Sequence, residues 1–330
     1  ADAEAAGFSY GVAPEDEFFL FDAQADGGAP RVTDSAGYFD QARDAWSGVR
    51  EAAVSALQSI GVDVEGSHHE AAFGQHEIDI AFQPAVAAAD AVVLLRQITR
   101  VAAQEHGLRA SFMPKPLDGL NGSGMHTHQA LLAPGSLHNL FYESDSAYGL
   151  SVLARHFIAG QLEHAAALAA ITAPLVNSYK RLISGFEAPT VVSWAHSSRS
   201  ALLRVPRVGR AESETTRVEL RCPDPSCNPY LAFAAMLAAG LDGVKRELPL
   251  APADEEQANV IDPAAAAHHY VRSLPSSLRE ALTGLTEDAV IREALGEQMV
   301  DRIVEAKLIE WEDFRAHVSG WELERYLALH

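Results

Sequence analysis

Glu15 and Glu17 stand two residues apart, just before the run Phe18-Phe19-Leu20-Phe21. If that run is a buried strand, its side-chain period of two puts both carboxylates on one face. Like charges this close repel unless a cation or base neutralises them; otherwise the pair is a solvated strand end. His68-His69-Glu70 and Gly74-Gln75-His76-Glu77 add two more carboxylates beside imidazoles, at turn-rich strand ends. In Gly124-Met125-His126-Thr127-His128 the two histidines share one strand face behind the loop Asn121-Gly122-Ser123-Gly124. A lone histidine there would be ordinary packing, whereas two on one face suit ligation or phosphate contact. Arg217-Val218-Glu219-Leu220-Arg221 alternates completely, so its three charged residues point one way. By itself that pattern describes a half-buried strand with an ion-paired outer face.

Further basic groups lie in Asn177-Ser178-Tyr179-Lys180-Arg181 and at Arg199 and Arg204, and Gly185-Phe186-Glu187-Ala188-Pro189 reads as an exposed loop with one acid. The planar fork of arginine matches carboxylate and phosphate oxygens. No P-loop sequence is present, so any nucleotide is held by other means. A Gly-x-Gly-x-x-Gly after a strand is also missing, which argues against dinucleotide binding. Many carboxylates, a few histidines and many arginines remain. Hard oxygen ligands favour Mg²⁺ or Mn²⁺, and with arginine clamps they are the equipment of phosphoryl transfer.

The elements that must position these groups can be read from periodicity. Strands are expected at 18–21, 62–65, 75–82, 111–113 and 126–132, with a turn at Gly27-Gly28-Ala29-Pro30. Helices are expected at 44–60, stopped by Gly61, at 85–106, stopped by Gly107, at 149–170, at 229–241, and from 277 to the end. Residues 184–219 read as loops and short strands, and 249–267 as a surface segment. Without strict alternation of strand and helix, this is one α+β domain. The composition, 48% hydrophobic and 21% charged, is that of a soluble globular chain. Its 45 acidic and 25 basic residues give a formal charge of -20, which disfavours nucleic acid and anionic membrane as partners. Cys222 and Cys227 are too few for a disulfide framework. The most apolar stretch, 165–176, is short and interrupted by Pro174, and no secretion signal is apparent. The expected location is the cytoplasm.

Taken together and in order, these segments resemble the catalytic domain of the glutamine synthetase family. The resemblance rests on Glu15-Asp16-Glu17-Phe18-Phe19-Leu20-Phe21, His68-His69-Glu70, Gly74-Gln75-His76-Glu77-Ile78-Asp79 and Phe112-Met113-Pro114-Lys115-Pro116. It continues through Asn121-Gly122-Ser123-Gly124-Met125-His126, Asn177-Ser178-Tyr179-Lys180-Arg181-Leu182, Gly185-Phe186-Glu187-Ala188-Pro189 and Asn228-Pro229-Tyr230-Leu231-Ala232-Phe233. It implies a curved antiparallel sheet backed by helices, of the glutamine synthetase/guanido kinase type. It also implies two Mg²⁺ or Mn²⁺ ions, one on Glu17, Glu70 and Glu77, the other on Glu15, His126 and Glu219. ATP would meet His68, His128, Arg204 and Arg217. Glutamate would meet Asn121, Gly122, Arg181 and Arg221, and Tyr38 would line the amine pocket. Arg199 would stabilise the transferred phosphoryl group, and Glu187 would close the site and take a proton from the incoming ammonium.

The activity implied is glutamine formation from glutamate and ammonia through γ-glutamyl phosphate. The alternatives are a γ-glutamyl ligase using an organic amine such as a polyamine or ethanolamine, and a non-catalytic relative. The resemblance further implies homo-oligomers, hexameric rings or stacked dodecamers with sites at subunit interfaces. By this reading residues 1–330 are the catalytic domain, and the small β-grasp domain that precedes it in the family is absent from this chain. Ser184 stands where the family has Pro, and Ser198 where Asn precedes the Arg-Ser pair. No clear counterpart of the tyrosine adenylylated in some bacterial members occurs near Asn259-Val260-Ile261-Asp262.

Overall fold

The computed structural model describes residues 2–23, 31–32, 34–38, 40–206, 215–255 and 272–327. The expected turn at 27–30, the 259–262 stretch and most of the 249–267 segment lie outside them.

The long apolar run belongs to a central strand. β1 (Ser9–Asp22) is flanked on one side by β2 (Val64–His69) and β3 (Gln75–Ile80). β4 (Gln83–Pro84) and β5 (Leu108–Ser111) also pair with it, and β6 (Met125–Leu132) takes its other edge. The short strands β7 (Trp194–Ala195), β8 (Leu203–Arg204) and β9 (Val218–Leu220) extend the sheet, giving the order β2-β3-β1-β6-β9-β8-β7. A strand paired on both edges and covered by helices reads as a continuous apolar run, and Phe18, Phe19 and Leu20 are fully buried. The pairs are antiparallel, as expected, except β7 with β8, which run parallel. These two are two residues long and joined by the loop that carries Arg199.

Register does most of the positioning. Glu15 stands opposite Asp79 on β3 and His126 on β6, and Glu17 stands opposite Glu77. His128 pairs with Glu219 on β9, and Glu219 with Arg204 on β8. Adjacent residues on neighbouring strands project to the same face, so five strands aim their charged side chains at one place.

Helices cover the other face. α1 (Asp2–Ala5) precedes β1; α2 (Ser47–Ser59) and α3 (Ala85–Glu105) follow β1 and β4. Val49, Ala53 and Leu57 of α2 and Leu95 of α3 close a core with Phe18, Leu20, Ile78 and Ile80. Both helices stop where the sequence places glycine, and Gly61 and Gly107 have φ of 84° and 73°, which any other residue adopts only with strain. The predicted helix at 149–170 is two, α4 (Val152–Glu163) and α5 (Ala165–Thr172), meeting at His164. α6 (Ser178–Arg181) is a single turn that delivers Arg181. α7 (Pro229–Lys245) has Pro at its first turn and Asn228 as N-cap, and packs on α4. α8 (Leu278–Glu287), α9 (Ala289–Leu295), α10 (Glu297–Ala316) and α11 (Gly320–Tyr326) close the chain, the last behind a Ser319/Glu322 capping box. The expected strand at 111–113 lies slightly earlier, as β5. Among the described residues no helix is long and apolar enough to cross a membrane.

Candidate active site

The charged face of the sheet forms the floor of a cavity of about 490 Å³. Of the residues singled out from sequence, fourteen line it: Glu15, Glu17, Tyr38, His68, Glu70, Glu77, Asn121, Gly122, His126, Arg181, Glu187, Arg199, Arg204 and Arg221. Glu219, His128 and Arg217 are not on its wall. Glu219 lies fully buried behind it, bonded to Arg221 and to Arg204 at 2.6 Å. Arg217 reaches Glu65 at 3.2 Å and lies over Phe82.

Glu17, Glu70 and Glu77 are all buried and bring one carboxylate oxygen each within 4.8 Å of the others. Burial, and then the charge of Glu70, pushes Glu17 well above the usual carboxylate range; burial and Glu17 do the same to Glu77. The protein's own bases therefore leave this trio short of positive charge. His68 approaches Glu77 at 3.3 Å and Glu70 at 3.5 Å, but it is partly exposed. A hard divalent cation fits such an all-oxygen set and would supply the missing charge.

The neighbouring acids behave oppositely. Against the effect of burial, His128 and His126 hold Glu15 well below the usual range, and Arg221 and His128 hold Glu219 down. His128 Nε2 meets Glu15 at 2.7 Å, and Glu15, His128 and Glu219 form a second trio with donor atoms within 4.8 Å. His126, the expected ligand, is present too: its Nδ1 lies 3.5 Å from Glu15, 3.8 Å from Glu17 and 3.9 Å from Glu219. Burial and Arg221 lower His126 to about 4, so its imidazole is neutral at physiological pH and keeps a lone pair for a ligand. Either histidine could complete this second set.

The loop after β5 supplies the wall. At Gly122 a Cβ would come 2.2 Å from the carbonyl of Pro114 and close to Arg181, which is why only glycine fits. Arg181 donates to the carbonyls of Cys222 and Arg221 at 2.8 and 2.9 Å, and its Nη2 lies 3.4 Å from His126 Nε2. It builds the floor and adds its charge beside Glu17. At the mouth, Tyr38 donates to Glu187 at 3.2 Å, and Arg199 approaches the same carboxylate at 3.9 Å.

Sequence reasoning passed over three groups. Gln75 donates to Glu17 at 2.8 Å and to the Gly122 carbonyl at 3.1 Å, and the Gly124 amide gives Glu17 a second bond at 2.9 Å. Asp34 accepts from His69 and from the Gly74 amide, bracing the turn that carries Glu70. Asp16, between the two expected ligands, faces away and pairs with Arg96 at 2.9 Å. Strand alternation alone assigns Asp16 to the opposite face; nothing local identifies Arg96 as its partner.

Residues 1–326 match the family model described as "Glutamine synthetase, catalytic domain". A glutamine synthetase of Thermus thermophilus is 48% identical over 96% of this chain and 70% of its own length. One from Halobacterium salinarum is 43% identical over 99% of this chain and 72% of its own. A solved GmaS/ADP complex superposes with a TM-score of 0.86 at 33% identity, covering 99% of this chain and 75% of that one. Apo GmaS without ligand gives 0.84, also at 33%. On these grounds the chain belongs to the glutamine synthetase catalytic-domain family.

Proposed function

We propose that this chain is an ATP-dependent ligase that makes glutamine from glutamate and ammonia through γ-glutamyl phosphate. The observation that supports this best is the cavity itself: four buried or half-buried glutamates, Glu15 and Glu17 on β1, Glu77 on β3 and Glu70 just after β2, faced by Arg199, Arg204 and Arg221. Glu17, Glu70 and Glu77 would hold one Mg²⁺ or Mn²⁺; Glu15, Glu219 and His126 the other. Those ions would neutralise phosphate oxygens and stabilise charge that develops during transfer.

The protein's own groups carry the remaining work. His128, Arg217, His68 and Arg204 would border ATP, with Arg199 beside the transferred phosphoryl group. Asn121, Gly122, Arg181 and Arg221 would orient glutamate, so that its γ-carboxylate attacks the γ-phosphate. Glu187, across the mouth beside Tyr38, would take a proton from ammonium, and the freed ammonia would then displace phosphate. A closed mouth keeps water from the acyl phosphate. Residues 1–330 act as one catalytic domain, cytoplasmic and assembled into hexameric rings or dodecamers.

The test is ATP- and glutamate-dependent phosphate release by the full-length protein with Mg²⁺ or Mn²⁺, comparing ammonia with a panel of amines. Phosphate and glutamine in equal amounts with ammonia are expected. Release only with an organic amine would reassign the acceptor. No release with any amine, despite bound metal and correct assembly, would refute the ligase reading.

A further inference from the structure

Lys115, between the prolines that follow β5, has no part in the site described so far. It is 8% exposed, and burial pulls its ammonium below the usual lysine range. A charge in that position needs partners. Its ammonium donates to the carbonyl of Leu120, next to Asn121 and Gly122, and lies 3.7 Å from the centre of the Phe186 ring. Its own backbone is fixed from behind, since Asn177 accepts from its amide at 2.8 Å and donates to its carbonyl at 3.1 Å. One anchored cation therefore touches two loops that both line the cavity.

The second of these loops is otherwise lightly held. Ile183, Ser184 and Gly185 are exposed, and Gly185 has φ of 90° with open space around it. Glu187 reaches Tyr38 and Arg199 across the mouth, and its carbonyl takes Arg221 at 3.4 Å. Phe186, immediately before it, is the loop's contact with the buried cation.

We infer that Lys115 is a positioning residue, a clasp that holds the Glu187 loop over the cavity through the ring of Phe186. The inference rests on the ligase reading for its consequence in turnover. With the clasp closed, Glu187 sits where the amine's proton must go and water is kept out. With it open, water replaces the amine: its oxygen attacks the γ-carbonyl carbon and the C–O bond to phosphate breaks. Glutamate and phosphate are released, and ATP is consumed without glutamine.

The experiment compares full-length wild type with Lys115→Met, Lys115→Arg and Phe186→Leu. Phosphate released per glutamine formed, KM for ammonia and for glutamate, Mn²⁺ affinity and hydrogen exchange across 183–188 are measured. In K115M and F186L the ratio of hydrolysis to amination is expected to rise about 5- to 30-fold, the range of one desolvated cation–π contact. KM for ammonia rises with it, exchange in 183–188 quickens, and glutamate KM and Mn²⁺ affinity hold. K115R, which keeps the cation, restores coupling. Unchanged coupling and unchanged exchange in F186L would overturn the clasp, and so would equal losses in every readout. If K115M does not fold, F186L decides, since it removes the ring from Lys115 and leaves the Glu187 bonds to Tyr38 and Arg221 in place. A wild type without ATP- and glutamate-dependent phosphate release would instead overturn the ligase reading, and exchange across 183–188 would still decide the clasp.

Discussion

Glu17 is buried among acids and yet holds a fixed orientation, because Gln75 and the Gly124 amide both donate to one of its oxygens. Partners behind a ligand set its direction and its basicity. Gln75→Leu keeps the bulk and removes the donor, and should weaken Mn²⁺ binding about 10- to 100-fold, read by electron paramagnetic resonance titration. An unchanged affinity would mean that the amide of Gly124 suffices. The pair of Asp16 and Arg96 has a different role. Asp16 is fully buried at 2.9 Å from Arg96 Nε, with its back to the cavity. Arg96→Met would leave that carboxylate without its cation, at a cost of about 3–5 kcal/mol in a urea melt. A loss within the error of the fit would show that Asp16 is neutral in the native state.

Among the elements, the junction of α4 and α5 is pinned by one imidazole. His164 offers Nδ1 to Asp288 at 2.6 Å and Nε2 to Asp242 at 3.0 Å, and only a doubly protonated ring donates to both. Asp242 also binds Arg246, and Asp288 caps α9 through the amide of Ile291. Despite burial, the two carboxylates raise the histidine above its ordinary value. A raised folded pKa gives stability that is complete below the unfolded value, about 6.5, and is lost as pH rises through the folded value. The Tm advantage of wild type over His164→Asn should therefore be largest near pH 6 and shrink toward pH 9. An advantage flat with pH would mean that the ring is neutral throughout. Nothing in the sequence signals this pin, since its three residues are separated by 78 and 124 positions. The same reason hides Arg96, which lies 80 residues from Asp16. What is legible locally is what the strand period controls: Glu15 with Glu17, His126 with His128, Arg217 with Glu219 and Arg221. Which histidine faces which glutamate depends on register between strands, and the sequence alone leaves that open.

For the whole molecule, a formal charge of -20 raises a question of balance. Much of that charge is on the surface, where solvent and salt screen it. The acids of the cavity floor are different, because they are buried and strand pairing forces them together. Forming the sheet therefore forces Glu17, Glu70 and Glu77 into one another's field, and folding without a cation works against that repulsion. An ion bound only by the folded state shifts the equilibrium by mass action, by about 2.7 kcal/mol at a hundred times its dissociation constant. Mn²⁺ or Mg²⁺ should thus raise Tm along a saturating curve, with chelator reversing the rise. Surface screening predicts something else: sodium chloride at matched ionic strength would do as well, without saturation. In Glu77→Gln the saturating part should shrink while the salt-dependent part persists, because the substitution removes a floor acid and leaves the surface charge nearly intact. A saturating rise of full size in that variant would place the ion's stabilising site elsewhere on the molecule.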